Sequence, residues 1–160
     1  LQLSEKKATP LTRSFFKEAF MEKIVVSEEK LLELFDSAMQ ASRVSYSPYS
    51  KFPVGAAILT SDGRVFTGCN IENRSYGLTN CAERTAMFNA VTEGATKIAA
   101  VAIATPKSDY PVGPCGACRQ VLTEFGDGDV PVIFGPKVEN LKKSTLAELY
   151  PFDSLHELAD

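Results

Sequence analysis

A chain of 160 residues with a formal net charge of −3 at pH 7 has room for one domain with its own core, and that charge argues against a polyanion as main partner. Hydrophobic residues make up 44% and charged residues 23%, the balance of a soluble globular protein, and no apolar run approaches the roughly 18 residues of a membrane span. Four cysteines without a charged-then-apolar leader favour free thiols or metal ligation over a disulfide framework, so the expectation is a single cytoplasmic domain with neither nucleic acid nor membrane as partner.

Residues 1–26 read as an extension ahead of a domain spanning 27–160. Met21 could be a natural initiator with foreign residues before it, or the whole segment a genuine extension; Leu11, Phe15, Phe16, Ala19 and Phe20 have rough helical spacing suited to docking. The first clear helix is expected from Ser27 to Arg43, capped by Ser27, with Glu28 and Glu29 on its positive end and Leu31, Leu34, Phe35, Ala38 and Ala41 forming a buried stripe. Pro48 and Pro53 then break the chain. Val54–Thr60 reads as a buried strand, Ser61–Arg64 as a hairpin turn, and Val65–Glu72 as the returning antiparallel strand. A loop leads to a helix from Cys81 to Glu93, stopped by Gly94.

Lys97–Thr105 is apolar enough for a central strand covered on both faces. A helix from Cys115 to Phe125 follows, then a strand Val130–Phe134 that Pro131 should start late or hold toward an edge. The strand–helix–strand order predicts a parallel pair. Ser144–Tyr150 closes the chain as a short helix capped by Ser144. The predicted order is α-β-β-α-β-α-β-α, an α/β fold with a mixed sheet flanked by helices.

The chemistry concentrates at Cys81-Ala82-Glu83 and Pro114-Cys115-Gly116-Ala117-Cys118. A catalytic zinc takes three protein ligands and leaves a position for water, which suits Cys81, Cys115 and Cys118 better than a closed structural site. Both cysteine groups fall at helix starts, where the dipole favours thiolates. Glu83 is placed to carry protons for a metal-activated water, and the adjacent Arg84 to hydrogen-bond a ligand sulfur. A zinc ribbon would need a second Cys-x-x-Cys, whereas the Cys115/Cys118 pair alone also admits a redox reading. Cys69 reads as a small core residue and His156, the only histidine, as a surface residue.

Cys-Ala-Glu…Pro-Cys-x-x-Cys is similar to the signature of zinc nucleobase deaminases. Around it, Tyr49-Ser50-Lys51-Phe52-Pro53-Val54-Gly55-Ala56-Ala57, Gly68-Cys69-Asn70-Ile71-Glu72-Asn73, Cys81–Ala86 and Pro114–Val121 resemble the small homotetrameric cytidine deaminases, over about Ser27 to Pro151. The resemblance implies the three-layer cytidine deaminase-like fold and one Zn²⁺ per chain. It implies hydrolytic deamination of cytidine and 2′-deoxycytidine in pyrimidine salvage, and a homotetramer. It also implies roles: Cys81, Cys115 and Cys118 as zinc ligands, Glu83 as the shuttle that protonates N3 and helps ammonia leave, Phe52 as an aromatic packed on the nucleoside. Asn70 and Glu72 would hold the ribose 3′-hydroxyl, and the Ala82 backbone would lie beside the pyrimidine. Tyr76 is a candidate for the pocket border. The C-terminal stretch Leu149-Tyr150-Pro151-Phe152 departs from the family, in which a phenylalanine stands three residues after the proline and reaches a neighbour's active site.

Three rivals remain at this level. A deaminase of the same fold could act on a nucleoside antibiotic or another aminopyrimidine; Asn70 and Glu72 favour plain nucleosides. A polynucleotide deaminase would want a basic, aromatic-rich stripe, which is missing. A silent zinc scaffold would have no use for Glu83.

Overall fold

The computed structural model describes residues 25–153. The proposed stripe at Leu11–Phe20 and His156 lie outside the described residues.

Helix α1 (Glu28–Ser42) begins where expected: the Ser27 hydroxyl accepts from Lys30 N at 3.1 Å, and Glu28 and Glu29 occupy the first turn. Its stripe of Leu31, Leu34, Phe35 and Ala38 is fully buried. Burial of each large side chain stabilises by roughly 1.5–3 kcal/mol.

Strands β1 (Gly55–Thr60) and β2 (Val65–Cys69) form the predicted antiparallel hairpin. Thr60 and Arg64 close it through Arg64 O, and Asp62 Oδ2 pairs with Arg64 Nε at 2.9 Å. Helix α2 (Ala82–Thr92) ends at Gly94, which adopts φ +79°, and β3 (Ile98–Ala104) is the central strand. Helix α3 (Gly116–Thr123) and β4 (Pro131–Gly135) complete the parallel β3/β4 pair. Strand β5 (Lys142–Thr145) and helix α4 (Leu146–Leu149) end the fold.

The sheet runs β2-β1-β3-β4-β5. Alternation along the strands divides the core between its faces. Ala57, Leu59, Ala102, Ala104 and Ile133 face α1, while Ala56, Ile58, Val101, Ile103, Val132 and Phe134 pack with Ala86 and Met87 of α2, Leu122 of α3 and Leu146 of α4. The result is three layers: α1, sheet, and the remaining helices. Alanines and glycines let the layers approach closely. A Cβ at Gly68 would stand 2.4 Å from Ala86 N and 2.6 Å from Ala82 O, so β2 touches the start of α2 backbone to backbone.

Three expectations need correction, and one alternative is decided. Strand β5 was not foreseen, because Lys142-Lys143-Ser144-Thr145 carries no apolar alternation; it pairs at the sheet edge and one of its lysines, Lys143, binds Glu28 of α1. Ser144 therefore belongs to a strand, and the helix cap is Thr145, in a capping box with Glu148. Of the two alternatives for Pro131 the first holds: β4 begins late, at Pro131 itself, where a missing donor costs least, and it lies between β3 and β5. Finally, β2 stops at Cys69, which is half-buried at the strand end with its thiol 3.6 Å from Val44 O, and is not part of the core.

Candidate metal centre and nucleoside site

Asn70, Ile71 and Glu72 leave β2 and are stitched between two other segments. Ile71 exchanges backbone hydrogen bonds with Asn80, at 2.9 and 3.0 Å, while Tyr46 N donates to Asn70 O and Glu72 N to Tyr46 O. The chain thereby delivers Cys81, the residue after Asn80, to the N-terminus of α2 beside the residues that follow β2.

Cys81 is the N-cap of α2 and Cys115 the N-cap of α3, each facing the unpaired backbone N–H groups of a helix start; Cys118 lies in the first turn of α3 and is fully buried. Cys81 Sγ and Cys115 Sγ are 3.8 Å apart, Cys115 Sγ and Cys118 Sγ 3.6 Å, and all three sulfurs fall within 4.8 Å of one another. Thiolates bound at about 2.3 Å in a tetrahedron stand about 3.8 Å apart, so the donor set and its spacing fit zinc. A disulfide needs about 2.05 Å, and the cysteines are free.

Arg84 Nη2 lies 3.3 Å from Cys81 Sγ. The Cys118 thiol and the Arg84 guanidinium together hold Cys81 down at about 5, while Cys118 is pushed up by its contact with Cys81, by burial and by the neighbouring negative charges. The Arg84 Nε is buried with no partner among the described residues, which leaves it a further donor within the site.

Glu83, 4% exposed, is the most buried acidic side chain described. Burial first, and then the Cys81 charge, raise its carboxyl to about 7. A carboxyl with that value near neutral pH can both accept and return a proton. Ala82, also buried, precedes it at the first position of α2.

Asn70 and Glu72 have a second occupation that sequence reasoning missed. Glu72 Oε2 accepts from Tyr49 N at 2.9 Å and Ser50 N at 3.2 Å; hydrogen bonds from Ser50 and Tyr49 hold its carboxyl below the usual range. Asn70 Nδ2 donates to Phe52 O at 2.9 Å, and its Oδ1 accepts from Val54 N at 2.8 Å. Two side chains, two residues apart, thus grip the loop that carries half-buried Phe52, in which Lys51 takes the left-handed value φ 57°. The only advance signal was the i, i+2 spacing of two polar residues. Tyr76 packs edge-on against Tyr49, ring centroids 5.9 Å apart, so it borders the same loop. Arg119 was also missed as a brace: it donates to Pro114 O and Leu149 O, both at 2.8 Å, tying the Cys115 turn to α4. Phe152 is almost fully exposed among the described residues.

The sequence profile of the cytidine and deoxycytidylate deaminase zinc-binding region matches residues 28–134. The chain belongs to this family. The cytidine deaminase of Sporosarcina psychrophila is 47% identical over 119 residues, 74% of this chain and 87% of that protein. That of Halalkalibacterium halodurans is 49% identical over 118 residues, 74% of this chain and 89% of that protein. The crystal structure of the Burkholderia pseudomallei cytidine deaminase superposes with a TM-score of 0.71 at 43% identity, covering 75% of this chain and 95% of that one. As a member of this family, the chain carries its zinc-binding region, and Cys81, Cys115 and Cys118 lie inside the matched segment.

Proposed function

We propose that this protein is a zinc-dependent hydrolase that converts cytidine and 2′-deoxycytidine to uridine and 2′-deoxyuridine with release of ammonia. The observation that carries the reading is the buried Glu83 carboxyl next to three cysteine sulfurs spaced for zinc. Its support includes cytidine deaminases of 47% and 49% identity covering about three quarters of the chain.

Cys81, Cys115 and Cys118 would hold the ion. Bound there, zinc supplies a Lewis acid that makes water acidic enough to add to the pyrimidine near neutral pH. Arg84 offsets part of the thiolate charge through Cys81, which keeps that acidity available. Glu83 takes a proton from the adding water, passes one to ring N3, and serves the exocyclic amine, which departs from C4 as ammonia. Water in and ammonia out balance the reaction, with no redox partner. Phe52 offers an aromatic surface to the nucleoside, and the Ala82 backbone lies at the start of α2 beside the sulfurs. Asn70 and Glu72, already bonded to the 49–54 loop, receive the ribose hydroxyl with the N–H and carboxylate lone pairs left over, contacts that a free base cannot make, so nucleosides are preferred over cytosine.

The reading extends to pyrimidine salvage, to a cytoplasmic location and to a homotetramer with one zinc per chain. A net charge of −3 supports a small-molecule substrate over nucleic acid, and no described helix is long and apolar enough to cross a membrane. Zinc content and ammonia release from cytidine, measured for the native protein and Glu83→Gln, test the core. One zinc per chain in both, with turnover only in the native protein, is expected. Zinc without cytidine turnover redirects the reading to an antibiotic or other aminopyrimidine substrate.

A further inference from the structure

We infer that Ser45 is a positioning residue that locks the Asn70 amide so that it presents one N–H donor to the substrate sugar. The inference rests on the nucleoside reading above and assigns a task to a residue outside the metal centre.

The assignment follows from which atoms can donate. An asparagine side chain offers two lone pairs at oxygen and two N–H groups at nitrogen. Val54 N can only donate, so the Asn70 atom 2.8 Å from it is oxygen; Phe52 O can only accept, so the atom 2.9 Å from it is nitrogen. The backbone therefore fixes the orientation of the amide. Ser45 Oγ stands 2.5 Å from Asn70 Oδ1, and since that oxygen has nothing to donate, Ser45 commits its single proton there. Ser47 Oγ, 3.1 Å from Ser45 Oγ, is a more distant acceptor for the same proton.

Both lone pairs of Oδ1 and one N–H of Nδ2 are now used, and one N–H remains. Glu72, a carboxylate, offers only acceptors. A donor on one side and an acceptor on the other match a hydroxyl, which does both. Hydrogen bonds in series polarise one another, so a proton held at Oδ1 makes the remaining N–H a stronger donor and keeps the amide from rocking. Ser45 is half-buried, and its other acceptors, Ser47 Oγ at 3.1 Å and Asn70 O at 3.4 Å, both stand farther off than Asn70 Oδ1.

The test compares cytidine with 3′-deoxycytidine in the native enzyme, Ser45→Ala and Ser45→Thr. In Ser45→Ala the preference for cytidine in kcat/KM should shrink about three- to tenfold, through a higher KM for cytidine with kcat held within about twofold, and 3′-deoxycytidine kinetics should be unchanged. Ser45→Thr keeps the hydroxyl and should restore the native preference. If Ser45→Ala leaves the preference intact, or weakens both substrates alike, the positioning role is overturned while the nucleoside reading stands. If the native enzyme itself does not distinguish the two substrates, the Asn70–Glu72 reading falls and takes the Ser45 assignment with it.

Discussion

Arg84 Nη2 donates to Cys81 Sγ at 3.3 Å across a single turn of α2, so the helix that brings a thiolate also brings its counter-charge. The guanidinium is planar, permanently charged and weakly hydrated, which suits it to a sulfur lying near a closed core. Arg84→Gln should keep the fold but weaken zinc retention and lower kcat/KM about 10- to 100-fold, the usual cost of losing a partner of a metal ligand. Zinc loss to a graded chelator, followed alongside ammonia release, checks this; unchanged retention would remove Arg84 from the metal centre.

The metal-free protein should show a pH dependence that belongs to Glu83. Its folded carboxyl sits at about 7 against an ordinary 4.5, so the folded state binds the extra proton between those values. A group raised on folding lends stability below its unfolded value and loses it as pH climbs through the folded one. Cys81, lowered to about 5, works in the opposite sense over its own range. Comparing Glu83→Gln with the native protein isolates the first effect. The variant should gain relative stability between about pH 4.5 and 7, by up to about 3 kcal/mol. Urea melts of chelated protein at several pH values measure it, and a difference that does not vary with pH would contradict the burial argument.

At the hairpin turn the sign is reversed. Hydrogen bonds from Arg64 and from the Thr60 hydroxyl hold the Asp62 carboxyl well below its ordinary 3.8. Its contribution is complete above that ordinary value and is lost as pH falls toward the depressed one. Asp62→Asn should be less stable than the native protein at neutral pH, by a small amount because the pair is exposed, and the gap should close on acidification below about pH 4. Thermal melts across that range decide the point.

Gly68→Ala probes how tightly the sheet holds the metal helix. The added Cβ would meet Ala86 N at 2.4 Å and Ala82 O at 2.6 Å, and backbone cannot swing away as a side chain can. Overpacking of this kind costs about 1–3 kcal/mol. The shift falls on the turn bearing Cys81, Glu83 and Arg84, so activity should drop further than stability alone explains. A variant that melts lower but turns over normally would show that α2 moves as a rigid unit.

Chelation gives the last expectation. With Cys81, Cys115 and Cys118 as its ligands, one ion would cross-link two helix starts, and anything bound only by the folded state stabilises it by mass action. Removing zinc should lower the melting temperature and abolish ammonia release, and adding zinc under reducing conditions should restore both. Recovery of the melting temperature without activity would separate the structural role of the ion from the catalytic one.

Much of the framework was legible because its signals are local. Leu31, Leu34, Phe35 and Ala38 repeat with the period of a helix, Ser27 caps it, and Gly94 supplies the left-handed residue that ends α2. Strand β5 was illegible for the same reason: its two lysines, a serine and a threonine have no pattern of their own, and only the edge of β4 makes a strand of them. Thr145 is the cap because its hydroxyl accepts from Glu148 N, whereas the Ser144 hydroxyl donates to the Glu148 carboxylate.

Within the site, residue type and family resemblance together proposed Cys81, Cys115 and Cys118 as a ligand set and Glu83 as the proton carrier. Tertiary structure decided the rest. The spacing of the sulfurs depends on two helix starts meeting, the raised Glu83 carboxyl on how many atoms exclude water from it, and the grip of Asn70 and Glu72 on backbone groups 16 to 23 positions away in the chain. Ligand chemistry and helix capping act over a few bonds and are written in residue order, whereas desolvation and long-range hydrogen bonding exist only once distant segments have been brought together.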